Sequence, residues 1–158
     1  MLLHLLRHAD AGDPDAWDRP DAERPLSDKG RKQSNRLGEH LSAIGFKADL
    51  FLTSPKVRAA ETAEMVADPL KTKVAIDERL AGSLDVDVVE AILSDAGDPG
   101  RVVIVGHDPD FSELLSTLAG AELEMKKGAL ASVEVDRPLR SGAGRLRWLI
   151  PPDALKGR

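Results

Sequence analysis

The chain contains no cysteine. Disulfides, thiolate metal sites and cysteine nucleophiles are excluded together, and a thiol-dependent phosphatase with them. A basic excess is also missing. The 22 Lys and Arg residues stand against 27 Asp and Glu, for a formal net charge of −5, the wrong sign for general binding to nucleic acid or to an anionic membrane. No apolar stretch approaches the ~18 residues of a membrane span. Met1–Leu6 is interrupted by His4 and closed by Arg7, so neither a transmembrane helix nor a signal peptide is expected, and the expected location is cytoplasmic. With no internal repeat and no low-complexity linker in its 158 residues, the chain is expected to be a single domain spanning 1–158.

What is present is an alternation of apolar runs and helical patterns. Leu2–Leu6 reads as a buried strand, and Ala11–Pro25, rich in Asp, Pro and Arg, as a surface loop beside its end. Ser27 or Asp28 is placed to cap a first helix carrying Leu37, Leu41 and Ile44, with Gly45 as its stop. Asp49–Thr53 is a short strand, and Pro55 opens a second helix with an alanine-rich packing face. Lys73–Ile76 reads as a strand, Val86–Leu93 as a helix, and the β-branched run Arg101–Val105 as a strand buried on both faces. Asp108-Pro109-Asp110 opens a helix that ends at Gly120, and Ala131–Val135 with Gly144–Ile150 form a hairpin or antiparallel edge. The expected fold is an α/β class, three-layer α/β/α sandwich with a mostly parallel central sheet and an antiparallel edge.

Three strand ends carry chemistry. They deliver Arg7 and His8, then Ser54 and Arg58, then His107 and Asp108. With right-handed crossovers in one sheet, their carboxyl ends share one edge, where ligands of open α/β sheets bind. Two arginines and two histidines would meet there. Guanidinium forks match phosphate oxygens, and helix N–H groups after Ser54-Pro55 add oriented donors. Phosphoryl transfer needs positioning, charge stabilisation and an in-line nucleophile, and a neutral imidazole supplies the last.

These segments resemble a known family. Arg7-His8 after an apolar strand, Ser54-Pro55-x-x-Arg58-Ala59-x-x-Thr62-Ala63, and Val105-Gly106-His107 are similar to the three motifs of the histidine phosphatase (phosphoglycerate mutase-like) superfamily. Arg7-His8-Ala9-x-Ala11, Arg24-Pro25-Leu26-Ser27-x-x-Gly30 and Gly106-His107-Asp108-Pro109 look like its small phosphohistidine phosphatases of the SixA type. The resemblance covers roughly residues 1–120. It implies a phosphoglycerate mutase-like fold and a nucleophilic His8 that is transiently phosphorylated. Arg7 and Arg58 would bind the phosphoryl oxygens, His107 would donate to them, and Ser54 and Arg24 would join the substrate-binding set.

The chain departs from the wider family at Ala9, where glycine is commoner, and in its proton donor. The candidates are Asp108 and Glu78, and neither sits in the full motif of its branch. Imidazole leaves far more readily than an alkoxide, so a missing acid and short loops both favour phosphohistidine on a protein surface. A small phosphomonoester is the alternative substrate, and a non-catalytic phosphoprotein-binding module the alternative function. A metal site of His4, His8, His107, Asp10 and Asp108 is disfavoured, because the neighbouring arginines would repel a cation. No metal and no cofactor are expected, and nothing demands more than a monomer. Bland roles are assigned elsewhere: Asp10 as a loop carboxylate within reach of a site arginine, the Asp13–Asp21 acids as solvated faces and caps, Trp17 as a cover or a tether, and Trp148 as core.

Overall fold

A computed structural model describes residues 1–156. Six strands form one sheet in the order β3-β2-β4-β1-β5-β6: β1 is Leu2–Arg7, β2 Leu50–Thr53, β3 Ala75–Ile76, β4 Arg101–Gly106, β5 Leu130–Glu134 and β6 Arg145–Ile150. The first four in that order are mutually parallel, and β5 runs antiparallel to both β1 and β6. This is the expected mixed sheet with an antiparallel edge. The third strand is shorter than the expected Lys73–Ile76, because only Ala75 and Ile76 find partners, on β2.

Helices cover both faces. On one side α1 (Asp28–Ala43) and α2 (Val57–Ala67) pack Leu37, Leu41, Ala59, Ala63 and Val66 against Leu6, Phe51, Val103 and Val105. On the other, α3 (Val86–Asp95) and α4 (Asp110–Ala119) bring Val89, Ile92, Leu93, Phe111, Leu114, Leu115 and Leu118 onto Leu3, Leu5, Val102 and Ile104. Alternate residues of β1 and β4 therefore feed two separate apolar layers, as strand periodicity requires when both faces are buried.

Local chemistry sets the boundaries. Ser27 caps α1 by accepting from Gly30 N at 3.1 Å. Gly45, at φ +73°, lets the chain turn away beyond the end of α1. The second helix begins at Val57 rather than Pro55, because Ser54 Oγ accepts from Lys56 N at 3.2 Å and holds that turn outside the helix. The 11–25 loop contains two 3-10 turns, Pro14–Ala16 and Asp21–Glu23.

Connections leave β1 and β4, which are neighbours, toward opposite faces, through α1 and α4 respectively. A crevice opens at their carboxyl ends. The two ends are level: Arg7 pairs with Gly106, His8 N donates to Gly106 O at 3.0 Å, and Ser54 N donates to Val105 O at 3.0 Å. Gly106 has a steric reason to be glycine. A Cβ there would stand 2.6 and 2.7 Å from ring atoms of the buried Phe111. Gly106→Ala is expected to lower stability by roughly 1–3 kcal/mol through overpacking, read as a reduced midpoint in urea unfolding.

Candidate active site

Arg7 ends β1, and His8 follows it into the crevice, buried. His8 Nδ1 lies 2.7 Å from Ala9 O. A carbonyl only accepts, so Nδ1 carries the proton and Nε2 keeps its lone pair. The ring's pKa is lowered to about 4, first by burial and then by the charges of Arg58, Arg7 and Arg24, against the raising effect of the Ala9 hydrogen bond. His8 is thus a neutral imidazole at pH 7 with one free nitrogen, the form that a nucleophile needs. Ala9 N in turn donates to Thr62 Oγ1 at 3.1 Å, and Thr62 Oγ1 donates to Arg58 O at 2.7 Å. This ties the histidine loop to α2.

The guanidinium groups are anchored on their outer edges. Arg7 Nη1 donates to Met125 O at 2.7 Å and stands 3.5 Å from Asp108 Oδ2. Arg58 is buried on α2 and bonds Asp21 twice, through Nη1 to the backbone O at 3.0 Å and through Nη2 to Oδ2 at 2.9 Å. Arg24 donates to Ala11 O at 2.7 Å and to Asp21 Oδ1 at 3.3 Å.

His107 follows β4 with its ring centroid 5.3 Å from that of His8. Its Nε2 is 2.8 Å from Ser54 Oγ. Ser54 is wholly buried and already accepts from Lys56 N, so its hydroxyl proton is best satisfied on His107 Nε2. The neutral ring then carries its hydrogen on Nδ1. Burial, helped by His8, Arg58 and Lys56 and opposed by Asp21, lowers the His107 pKa to about 3.

Among the described residues, four buried side-chain nitrogens lack a hydrogen-bond partner: Arg7 Nε, Arg58 Nε, His107 Nδ1 and His4 Nδ1. Orphaned buried donors are costly and call for an explanation. Three of the four belong to this one crevice, and each can donate to an anion.

The remaining expectations fall out as follows. Arg7, His8, Arg58, His107 and Arg24 come together; Arg24 reaches the site as a charge on His8 rather than as an open edge. Ser54 sits behind His107 and holds it, instead of facing a ligand. Asp108 has both oxygens committed, Oδ1 to Ser112 N at 3.0 Å and Oδ2 to Ser112 Oγ at 2.6 Å. Glu78 is exposed in the 3-10 turn after β3. Asp10 bonds Ser27 Oγ, Gly12 N and Lys127 rather than a site arginine, and so stitches the loop to α1. Trp17 tethers its own loop through Pro20 O at 3.1 Å.

His4 lies away from this site. It is 2 % exposed, edge-on to Phe46 and stacked on Trp148, beside a broad hollow of about 700 Å³ at the opposite end of β1. No group of three or more potential metal ligands occurs among the described residues. Missed in the sequence were Asp21 as the partner of Arg58 and the carbonyl of Met125 as the anchor of Arg7. A carboxylate three residues before Arg24 was the available signal for Asp21; a backbone acceptor leaves none.

This fold and this cluster define a histidine-based phosphohydrolase class. Residues 3–82 match the histidine phosphatase superfamily (branch 1), and the chain belongs to it. It is 30% identical over 162 residues to phosphohistidine phosphatase SixA of Escherichia coli strain K12, covering 99% of this chain and 97% of that protein. The structure of the protein histidine phosphatase SixA complexed with tungstate superposes with a TM-score of 0.85 at 27% identity, over 99% of this chain and 100% of that one. A putative alpha-ribazole-5'-P phosphatase from Escherichia coli K-12 superposes with a TM-score of 0.76 at 20% identity, over 100% of this chain and 99% of that one, a likeness of fold alone. No described helix is long and apolar enough to cross a membrane.

The three depressed histidines bear on stability. His4 is lowered to about 4, by burial and then by Arg101; His8 and His107 are lowered as given above. Between these values and the ordinary 6.5 the unfolded chain binds more protons than the native one, so stability rises with pH across that window. It is fully present above about 6.5 and is lost as pH falls toward 4. Chemical denaturation at pH 7, 6 and 5 is expected to show this loss, and His4→Phe to flatten the slope without touching the crevice.

Proposed function

We propose that this protein is a metal-independent phosphatase that forms a phosphohistidine at His8 and acts on phosphohistidine in a protein. The observation that carries the reading is the set of three unpartnered nitrogens, Arg7 Nε, Arg58 Nε and His107 Nδ1, around a neutral His8 whose proton sits on Nδ1. In the first step His8 Nε2 attacks phosphorus in line, a P–N bond forms, and the bond to the leaving group breaks with its electron pair passing to that group. Arg7, Arg58 and His107 hold the phosphoryl oxygens as charge spreads over them. In the second step water attacks the phosphoenzyme, the His8–phosphorus bond breaks, and phosphate departs.

The surroundings of the site support this substrate class. Beside the site, a hollow that touches His107 but not His8, Arg7 or Arg58 measures about 150 Å³, below the ~300 Å³ at which small-molecule pockets begin. A metabolite's body would find little enclosure there. A phosphorylated side chain presented from a protein surface needs none. The two acid candidates also favour an easily displaced leaving group, since Asp108 is spent on Ser112 and Glu78 is exposed. The kinship with SixA of Escherichia coli supports the same substrate.

The testing experiment compares a phosphohistidine protein, p-nitrophenyl phosphate and an alkyl phosphomonoester, with EDTA present. Fast turnover of the first with the alkyl ester nearly inert is expected. Preferential alkyl-ester hydrolysis would move the substrate to small metabolites, and loss of rate on chelation would bring back a metal. His8→Ala is expected to abolish turnover and acid-labile labelling of the enzyme while leaving its circular dichroism unchanged. Arg58→Ala is expected to lower kcat by roughly 10²–10³-fold, the usual cost of one lost transition-state donor.

A further inference from the structure

A carboxylate bound to the phosphate-binding arginine is an anomaly. Asp21 holds Arg58 through Oδ2 and its backbone oxygen, and Arg24 through Oδ1. Its pKa is lowered: desolvation is the largest single effect and raises it, but the charges and hydrogen bonds of Arg58 and Arg24 together outweigh it, so it is ionised at neutral pH. A negative charge in that place opposes binding of the phosphoryl anion. Orienting Arg58 does not require it, because the backbone oxygen of Asp21 already does that.

Its position shows what it can do. The Arg58 side chain is 7 % exposed and that of Asp21 56 %, so the carboxylate stands between the buried guanidinium and solvent. Its charge acts on His107, whereas the charges acting on His8 are those of Arg58, Arg7 and Arg24. A leaving group displaced in line moves away from His8. Each carboxylate oxygen has two acceptor sites, and one on each is taken, so two remain for a donor from outside. Asp108, the other carboxylate near a site arginine, is only 17 % exposed and is braced by Ser112 through both oxygens.

We propose, building on the phosphohistidine reading, that Asp21 is the specificity-determining group for a phosphorylated imidazole. Its carboxylate accepts a hydrogen bond from the distal ring N–H of the substrate. The ring protonated at that nitrogen is cationic, and the carboxylate stabilises it at the mouth. As His8 Nε2 bonds to phosphorus, the substrate's P–N bond breaks and its electrons return to the ring nitrogen. The ring departs as neutral imidazole, with its proton still on the distal nitrogen. No acid has to donate to the leaving atom. An alkyl or aryl ester offers the carboxylate no donor and meets only its charge.

Asp21→Asn keeps an oxygen for Arg58 and removes the charge. Phosphoimidazole and p-nitrophenyl phosphate are the two probes, each followed over pH. The ratio of their kcat/KM values is expected to fall at least tenfold in the variant. The basic limb of the phosphoimidazole profile should move to lower pH, since the bound ring loses the anion that keeps it protonated, while the limb for the nitrophenyl ester should stay. Equal losses on both substrates, or no loss on either, would overturn the assignment and leave Asp21 a strut for Arg58. Wild-type enzyme inert toward phosphoimidazole and toward a phosphohistidine protein would overturn the substrate reading and this inference together.

Discussion

The hydrogen bond from His8 Nδ1 to the carbonyl of Ala9 is the constraint on which the site rests. It decides which nitrogen carries the proton and so which keeps its lone pair. It works only while the ring stays neutral, and the surroundings see to that: burial and three arginines all penalise a charged imidazole. The cations that would bind the substrate therefore also keep His8 uncharged. A metal cation in the same crevice would meet those guanidiniums at close range.

An acidic protein achieves this by concentrating its cations and tying down most of the carboxylates nearby. Asp108 is locked to Ser112 and Asp10 to Ser27, which keeps them as braces. Arg7 is fixed by a main-chain oxygen at Met125, and Arg58 is linked through Thr62 to the strand end that bears His8. Groups held this way need little reorganisation when charge develops.

Most of the frame was legible in the amino-acid sequence because its signals are strong and local. The β-branched run at 101–105 and the Gly45 stop have one physical reading each, the cap of α1 fell to Ser27 or Asp28, and the structure has the strand, the stop and Ser27 in those roles. The strand ends that bear Arg7, Ser54 and His107 could be read as one edge, since parallel topology leaves few choices. What escaped was set by tertiary packing. The strand at 75–76 is short because only two residues reach a partner. Asp21 looked like a solvated acid, and its pairing with Arg58 depends on how a 3-10 turn folds over α2. Ser54 looked like a ligand contact, and its burial beneath His107 depends on the level at which β2 and β4 end.

The place of β1 in the sheet has a consequence for how the chain matures. The strand lies between β4 and β5, with Leu2 opposite Arg101 on one side and Glu134 on the other. This strand leaves the ribosome before both of its partners, and its leucines wait with both edges unpaired while β4 and β5 are made. Loop closures of this length slow folding and leave apolar edges open to association. The polar bracket of His4 and Arg7 around Leu5 and Leu6 breaks that run during the wait. The anchor of Arg7 is complete only when the segment carrying Met125 and β5 arrives, so a nascent chain carries Arg7 and His8 long before the crevice around them closes.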